Sequence, residues 1–521
     1  MREHTSLLLA CASLLVLLVT GLPLFLRMPL YQDVTFYDLA ARNMLRGGVH
    51  YRDFFDPNFP GMAWLHVAVR SMVGWTSEAF RLVDILVVAV SVWLLMVYLK
   101  RIGLGAAERA WTAVLLFAFY LATSEVVHCQ RDVWMLLPGV GALLLRGRQL
   151  MSMQSERTSL RQIALRAMGE GILWAVAFFV KPFIALAALG CWMVSTALVL
   201  RRANSNSRRL VIDAAGLLAG GFLVIGVGCA SLWWSGSWPF FLEAMSWGTE
   251  YYQRSSAGVI GRTASLVQQF LPWGWVHVVA VPIALSTMWR AIAKREFQQG
   301  PEALLSSLYV GWLLQANYVQ YGFPYHLAPA TLLAVAVVAA GRWLPGPTPL
   351  GSIVLVGFVA LAAARHPLAD FGRTALWTRC VREGASPEIR NRLALSAEPV
   401  KPDWEALDQV ADFLKKQGLR DRELTCYSFT TTGLYVQLEL APSTRFNPVD
   451  EWVYFFPSHK EAVREALAAS PQRYIVTDVS YVAARPQSPG EFPYSEPVVF
   501  RAGQYLVHRS TGMLGGVRGD Q

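Results

Sequence analysis

The stretch LLLACASLLVLLVTGLPLFL, residues 7–26, decides the fold class, because it contains no charged side chain. An α-helix needs about 20 apolar residues to cross the 30 Å hydrocarbon core of a bilayer at 1.5 Å per residue. No convincing small-x-small cleavage site occurs near Gly21, so we interpret the stretch as a retained span rather than a signal peptide. A retained span of this length predicts an integral membrane protein.

Further apolar stretches extend this prediction to eleven spans. The other ten lie near residues 82–99, 110–126, 133–146, 168–181, 182–200, 211–234, 273–289, 303–320, 326–341 and 350–365. Of the 521 residues, 54% are hydrophobic and only 16% are charged, against roughly 25% charged in soluble proteins. The net charge of +10 lies on a chain of mean hydropathy +0.36, which disfavours nucleic-acid binding. The composition excludes a water-soluble fold.

The distribution of Lys and Arg predicts the orientation, because cytoplasmic loops accumulate both. It favours a multi-pass protein with a cytoplasmic N-terminus and an extracytoplasmic C-terminal domain. The 15 residues 61–75 are too short for a span and predict an amphipathic helix at the membrane surface. The long apolar stretch 168–200 is interrupted by Lys181-Pro182, and we split it there into two short spans.

Charged residues return after residue 365, and the spacing of apolar residues becomes that of a soluble domain. We therefore predict a transmembrane domain over residues 1–365 and a small extracytoplasmic α/β domain over 366–521. Periodicity predicts helices at 403–417 and 458–469, and strands at 423–429, 433–438, 451–456, 473–479 and 498–507. Two of the six cysteines, Cys380 and Cys426, share this domain, and either a disulfide or two ordinary thiols fits them.

The first predicted outer loop is the most informative segment. Residues 27–61 read RMPLYQDVTFYDLAARNMLRGGVHYRDFFDPNFPG, with four aspartates among tyrosines and phenylalanines. Carboxylates accept hydrogen bonds from hydroxyl groups, and aromatic rings stack on the apolar faces of sugars. The composition therefore fits a sugar site, and it equally fits an acidic loop solvated outside the membrane.

The order of residues in this loop resembles that of a known family. Asp33, Tyr37, 45–48 (LRGG), 51–56 (YRDFFD) and Pro60-Gly61 resemble the first loop of the GT-C glycosyltransferases, polytopic membrane enzymes that use polyprenyl-phosphate sugar donors. The most similar groups are the protein O-mannosyltransferases, the lipid A aminoarabinose transferases and the RgtA/B/C/D-like proteins. The resemblance covers about residues 1–345, and the segments 128–132 (HCQRD) and 321–326 (YGFPYH) also fit it.

The resemblance implies an enzyme, a glycosyltransferase that moves a hexosyl or pentosyl group to an acceptor hydroxyl at the extracytoplasmic face. It assigns the general base to Asp33, although Val34 stands where the family usually carries a glutamate after this aspartate. Asp132 is the second predicted catalytic acid, and a helix N-cap is the equal alternative. One base is enough in principle, because a phosphate leaving group needs only cations to balance its charge.

Four residues are predicted to bind the donor phosphate: Arg131, Lys181, Arg254 and His326. Each has a structural alternative. Lys181 could extend to the membrane interface, Arg131 could pair with Asp132, His326 could be a hydrogen-bonded core histidine, and the aromatic loop around Arg254 could be an interfacial belt.

Asp53 and Asp56 are predicted to order the first loop by accepting hydrogen bonds from backbone N–H groups near Pro57 and Gly61, rather than to contact the substrate. The scheme needs no cofactor, and no metal-ligand spacing is found, although a divalent ion stays open. The predicted partners are a polyprenyl-phosphate-linked sugar, a glycan, lipid or protein acceptor of the cell envelope, and membrane lipids. The alternative function is a lipid or solute transporter or flippase without glycosyl transfer, which would keep ionisable residues near the bilayer midplane.

Overall fold

The computed structural model describes residues 2–153, 155, 157–201, 207–253, 259–320, 322–341, 372–394, 401–480 and 492–511. Within these ranges, the chain before residue 342 is helical. Its α-helices are α1 (Arg2–Arg27), α2 (Gln32–Leu45), α3 (Gly61–Val73), α4 (Ser77–Arg101), α5 (Ala106–Ala122), α6 (Arg131–Trp134), α7 (Leu136–Met153), α8 (Leu160–Val180), α9 (Ala185–Leu200), α10 (Ser207–Trp234), α11 (Trp238–Gln253), α12 (Val259–Gln268), α13 (Val276–Ala293), α14 (Gly300–Leu314) and α15 (Pro324–Ala340).

Every predicted span before residue 342 overlaps a helix, and the chain is a multi-pass membrane protein. Among the described residues, six helices are long and apolar enough to cross a membrane: α1, α4, α8, α10, and the segments Pro182–Leu200 and Trp273–Ala293 that contain α9 and α13. The helix α15 is apolar but shorter. The predicted count of eleven is not confirmed, and the predicted span 350–365 lies outside the described residues.

The break at Lys181-Pro182 is confirmed. Helix α8 ends at Val180, Lys181 is extended with φ −161°, and a 3-10 turn over Pro182–Ile184 leads into α9. Proline explains the break, because it disfavours helical geometry in the residue before it and supplies no N–H donor. The turn places the Lys181 side chain at the joint between two apolar helices.

The short segment after the first loop is the predicted helix and not a span. Helix α3 has 13 residues, and most of its buried residues fall on one face. The buried residues are Gly61, Met62, Ala63, His66, Val69 and Arg70. The helix ends at Gly74, whose φ of +81° is a conformation that glycine adopts without strain. Its position at a membrane surface stays a prediction.

The C-terminal region combines helices with a small sheet, as the predicted fold class requires, and its status as a separate extracytoplasmic domain stays a prediction. Its helices are α16 (Gly372–Arg382), α17 (Pro387–Leu393), α18 (Trp404–Lys416), α19 (Gly433–Leu438), α20 (Val449–Phe455) and α21 (Lys460–Ala468). Its strands are β1 (Leu424–Cys426), β2 (Tyr474–Asp478), β3 (Val498–Ala502) and β4 (Tyr505–Arg509), in the sheet order β1-β2-β4-β3. Strands β1 and β2 are parallel, whereas β4 is antiparallel to both β2 and β3. The two predicted helices and the strands at 423–429 and 473–479 are confirmed, with shorter strands than predicted.

Two strand predictions in this domain are wrong, and a third segment is confirmed as strand but is divided in two. Residues 433–438 form α19, because the Tyr435 hydroxyl accepts a hydrogen bond from the Cys426 N–H (2.8 Å) and donates one to the Leu424 carbonyl (3.2 Å). Residues 451–456 belong largely to α20, whose first turn carries two carboxylates that favour a helix N-terminus. Residues 498–507 are two strands, β3 and part of β4, joined at Gly503, whose φ is +52°.

The contacts divide the chain into two compact units. The first unit comprises Met1–Leu26, Phe80–Cys229 and Ser256–Val381, and the second comprises Arg27–Ala79, Ala230–Ser255 and Arg382–Gln521. The second unit thus combines the first predicted outer loop, α11 and most of the C-terminal domain. The predicted boundary between residues 365 and 366 lies outside the described residues.

Candidate functional site

Asp33 lies in the first turn of α2, in the second unit. The residue before the helix, Tyr31 at the N-cap, is extended with ψ 154°, so the helix begins abruptly after Pro29. The Asp33 side chain is half-buried. The N–H groups of a first helical turn and the helix dipole both favour a carboxylate there. The local fold therefore places the Asp33 carboxyl group at a helix N-terminus.

A buried triad holds α2 against α3, and sequence reasoning did not single it out. Asp38 Oδ1 accepts hydrogen bonds from His66 Nδ1 (2.9 Å) and Arg70 Nε (2.7 Å), and Asp38 Oδ2 accepts from Arg70 Nη2. The three residues are between 0% and 2% exposed. Arg70 also donates to the carbonyls of Gly74 (3.2 Å) and Thr76 (2.9 Å). The triad therefore fixes the helix that carries Asp33.

The triad also sets the charge of its members. Burial raises the pKa of Asp38, but the hydrogen bonds and charges of His66 and Arg70 outweigh it and hold that pKa below its ordinary value. Burial, helped by the charge of Arg70, lowers the pKa of His66 although Asp38 opposes this. At neutral pH the triad is therefore a carboxylate held by a guanidinium and a neutral imidazole.

Asp53 and Asp56 both make hydrogen bonds within the first loop. Asp53 Oδ2 accepts from the Val49 N–H (2.7 Å), and a hydrogen bond from Arg52 lowers the pKa of Asp53. Asp56 is fully buried, and its Oδ1 accepts from the Asn58 N–H (2.9 Å) and from the Asn58 side-chain amide (2.8 Å). Asp56 thus bonds a backbone N–H beside Pro57, as predicted, whereas Asp53 bonds one earlier in the loop, and the loop-ordering role of both stays a prediction.

In the first unit, Asp132 and Lys181 form a buried ion pair. Lys181 Nζ lies 3.0 Å from Asp132 Oδ1 and 2.8 Å from Oδ2, and the two residues are 2% and 0% exposed. The N-cap of α6 is Gln130, so the alternative of Asp132 as an N-cap is wrong. The alternative of Lys181 extending to the interface is also wrong, because its ammonium group is buried against a carboxylate.

His326 lies beside this pair at the start of α15. Lys181 Nζ is 5.8 Å from the centre of the Tyr325 ring, and that ring meets the His326 ring edge-on at 4.6 Å. His326 is 2% exposed, yet neither ring nitrogen has a hydrogen-bond partner among the described residues. The alternative of a hydrogen-bonded core histidine is therefore wrong for His326. Buried polar atoms left without a protein partner are costly and indicate an absent ligand or water.

The structure says less about the surroundings of the other two predicted phosphate ligands. Arg131 is half-buried and is the first residue of α6, adjacent in sequence to Asp132. Arg254 lies outside the described residues. The structure thus brings Asp132, Lys181 and Tyr325-His326 together, with Arg131 at the neighbouring helix start.

A second buried network holds α6 in place and was not predicted. Asp84 Oδ1 accepts a hydrogen bond from Trp134 Nε1 (2.7 Å), and its other oxygen accepts from the Tyr120 hydroxyl. Arg81 Nη1 lies 3.2 Å from His128 Nδ1, and Arg81 and Asp84 are both 0% exposed. The available sequence signal was a pair of opposite charges three residues apart in an apolar span.

An apolar cleft opens between α8, α9 and α10 of the first unit. Its volume is about 410 Å³, and its lining is almost entirely hydrocarbon and aromatic. Phe178 and Ile184, which flank the Lys181 turn, line it together with Trp174, Ala188 and Trp192. The lining fits a hydrocarbon chain better than any polar ligand.

Among the described residues neither a metal centre nor a disulfide is seen. Cys380 and Cys426 are both buried and are not joined to each other, so the disulfide alternative is not adopted. Within the described ranges, no group of three His, Cys, Asp or Glu side chains could hold a metal ion.

No protein-family model matches the sequence, and no curated protein matches it. Among solved structures, ArnT from Cupriavidus metallidurans bound to undecaprenyl phosphate matches with a TM-score of 0.60 and 16% identity, over 98% of this chain and 99% of ArnT. The same protein in the apo state matches with a TM-score of 0.55 and 15% identity, over 99% of this chain and 100% of ArnT.

The oligosaccharyltransferase AglB from Archaeoglobus fulgidus, solved with an inhibitory peptide and a dolichol-phosphate, covers 93% of this chain and 71% of its own. Its TM-score of 0.48 and identity of 13% are too low to carry an argument. The predicted fold class, a helical polytopic membrane protein with a small C-terminal sheet, is therefore confirmed: this chain shares the fold of ArnT over 98% of its length.

Proposed function

We propose that the protein is an integral-membrane glycosyltransferase that moves a sugar from a polyprenyl-phosphate donor to an acceptor hydroxyl. The observation that carries the proposal is the fold shared with ArnT over both whole chains. The ArnT structure contains undecaprenyl phosphate, which makes a lipid-linked sugar the first donor class to test here. The sugar and the acceptor are for experiment to identify.

The donor phosphate binds Lys181, Arg131 and His326 in this proposal. Lys181 contributes a buried ammonium group, which binds an anion more strongly than an exposed one because the surrounding dielectric is low. The unpartnered nitrogens of His326 supply further hydrogen bonds. The cleft beside the Lys181 turn is apolar, which suits the isoprenoid part of such a donor. Arg254 stays a predicted phosphate ligand.

Asp33 acts as the general base. Its carboxylate takes the proton of the acceptor hydroxyl, and the hydroxyl oxygen attacks the anomeric carbon of the donor sugar. The bond between that carbon and the phosphate oxygen breaks, and its electron pair leaves with the polyprenyl phosphate. Attack opposite the leaving group inverts the anomeric centre. The cations balance the charge that develops on the leaving phosphate.

Asp132 has a supporting role in this scheme. It holds Lys181 through both of its oxygens, so it orients the cation and cannot easily accept a proton from the acceptor at the same time. The proposal therefore moves Asp132 from second catalytic acid to positioning residue. The reaction takes place at the extracytoplasmic face of the plasma membrane, with the N-terminus in the cytoplasm.

The test is transfer of radiolabelled sugars from polyprenyl-phosphate donors into membrane acceptors in vesicles. Asp33→Asn keeps the size of the side chain but cannot act as a base, so we expect transfer to fall by about 10²- to 10⁴-fold. Asp412→Asn, on an exposed face of α18, is the matched control and should transfer at the wild-type rate. Equal transfer by wild type and Asp33→Asn would remove Asp33 from the mechanism.

One observation favours the transporter alternative as a second candidate. Arg146 is fully buried and bonds Glu170 Oε1 (2.9 Å) and Asp213 Oδ2 (2.8 Å), which are also buried in the spans α8 and α10. Two carboxylates with one guanidinium inside a membrane are typical of proton or ion pathways. Proton uptake by vesicles that contain the wild type, abolished by Glu170→Gln, together with no transfer from any donor, would favour this function.

A further inference from the structure

The C-terminal domain contacts both sides of the Asp33 turn within the second unit. The Phe429 ring meets the Tyr31 ring edge-on at 5.9 Å, and the Trp452 ring meets the Phe36 ring at 5.8 Å. Tyr31 is the N-cap of α2, and Phe36 lies one turn into the helix. Two rings of a domain some 400 residues away in sequence therefore bracket Asp33.

Arg445 fastens the segment that carries Trp452 to the first loop. Its carbonyl oxygen accepts a hydrogen bond from the Phe55 N–H (2.9 Å), and its guanidinium lies 5.9 Å from the Phe55 ring centre. The Phe55 ring in turn packs against the rings of Phe446 (5.3 Å) and Trp452 (5.5 Å). The first loop is thus held at Phe55 by a backbone hydrogen bond, a cation–π contact and the packing of aromatic rings.

The same arginine also binds α11. Arg445 Nη1 and Nη2 lie 3.1 Å and 2.6 Å from the two carboxylate oxygens of Glu243. This two-point geometry is the strongest form of an arginine–carboxylate pair. Trp247, one turn further along α11, stacks on Phe446 at 5.6 Å and on His459 at 3.8 Å. Arg445 therefore joins three separate chain segments: the first loop, α11 and the C-terminal domain.

We propose that the C-terminal domain positions the catalytic base, with Phe429 and Trp452 fixing the first turn of α2 and Arg445 as the positioning residue that ties these contacts together. The inference rests on the proposed function for its consequence in catalysis, but the physical hold on α2 is independent of it. A displacement of about 1 Å at a catalytic group costs up to about a hundredfold in rate. The domain is therefore part of the reaction machinery rather than a separate binding module.

The experiment uses full-length protein and a charge exchange. Arg445→Glu places two carboxylates together and should release the loop, whereas Arg445→Glu with Glu243→Arg restores the pair in reverse. Hydrogen exchange of the amides in α2 should accelerate at least about tenfold in the single variant and return most of the way in the double variant. Arg464→Glu, which breaks an exposed pair with Glu461 on α21, is the matched control and should leave α2 unchanged.

Kinetics then separate positioning from binding and folding. In Arg445→Glu we expect kcat to fall by about ten- to a hundredfold with the donor KM within about twofold of wild type, and the double variant to recover most of kcat. Unchanged exchange in α2, a loss confined to KM, or a double variant as slow as the single one would overturn the proposal. If the wild type transfers no sugar, the proposed function fails, and the exchange result still decides whether the domain holds α2.

Discussion

The two units each bury an aspartate against a cation, and the comparison separates a structural contact from a ligand site. In the second unit, Asp38 is held by both His66 and Arg70, and Arg70 also caps the end of α3. In the first unit, Asp132 holds Lys181, and the neighbouring His326 nitrogens have no hydrogen-bond partner in the described part of the chain. In the triad both His66 and Arg70 bond the aspartate, whereas His326 makes no hydrogen bond to the Asp132–Lys181 pair among the described residues, which fits the proposed role of His326 in binding a ligand.

The prediction with the largest expected effect tests the proposed role of the Asp132–Lys181 pair in binding a ligand. Lys181→Met removes the buried ammonium, so we expect transfer to fall at least about a hundredfold, and unfolding to become about 3–5 kcal/mol easier because Asp132 is left as an uncompensated charge. In Lys181→Met with Asp132→Leu, thermal stability in detergent should recover while transfer stays low. Recovery of transfer in the double variant would show that Lys181 serves only to balance Asp132.

The matching change in the triad should affect stability first. Asp38→Asn leaves Arg70 buried without a carboxylate, and we expect a loss of about 3–5 kcal/mol in the free energy of unfolding. Thermal unfolding of purified protein measures this loss. Adding Arg70→Met should recover part of it, because the hydrogen bonds to Gly74 and Thr76 are still lost. A single variant as stable as wild type would contradict a structural role for the triad.

The sequence predicts features that depend on neighbours in the chain. The apolar stretch 7–26, the break at Lys181-Pro182 and the amphipathic helix α18 each follow from local composition or periodicity, and each is confirmed. Short runs such as 433–438 are ambiguous, because a hydrogen bond from Tyr435 to β1 decides between helix and strand. Local patterns do not specify such a contact.

The residues of the candidate site could be predicted from the sequence, but the contacts between them could not. The family resemblance indicated Asp33 and Asp132, and the positive charge at a span end indicated Lys181. The pairing of Asp132 with Lys181, 49 residues apart, could not be predicted from the sequence. Nor could the packing of Phe429 and Trp452 on either side of Asp33. These contacts depend on tertiary packing, which a single sequence does not reveal.

A smaller effect is expected from two buried histidines of the first unit, one without and one with hydrogen bonds to side chains of the described residues. His326→Asn removes a ring that makes no hydrogen bond within the described part of the chain, so we expect a smaller loss of stability than in the matching His277 variant and a fall in transfer of about tenfold. His277→Asn is the control, because His277 bonds the Tyr309 hydroxyl (2.9 Å) and the Thr331 hydroxyl (3.2 Å). It should lose about 1–3 kcal/mol of stability. Loss of stability in His326→Asn without loss of transfer would make His326 a core residue.

The smallest effect is the pH dependence that the triad gives to the second unit. The pKa of His66 is lower in the folded chain than its ordinary value of 6.5, so the unfolded chain binds this proton first as pH falls. Stability should therefore drop as pH falls below about 6.5, by at most about 1.4 kcal/mol per pH unit, until the folded pKa is reached. The lowered pKa of Asp38 adds a loss only in more acidic solution, because its contribution is complete above its unfolded pKa of about 3.9 and is lost as pH falls through its folded pKa.

Thermal unfolding in detergent between pH 7.5 and pH 5 measures this slope. His66→Gln cannot take up the proton, so we expect a shallower dependence on pH than in wild type over that range. His4→Gln changes an exposed histidine and is the matched control, with the wild-type slope expected. An equal slope in wild type and His66→Gln would mean that the proton is taken up elsewhere, and the triad would then contribute packing and hydrogen bonds but no sensitivity to acid.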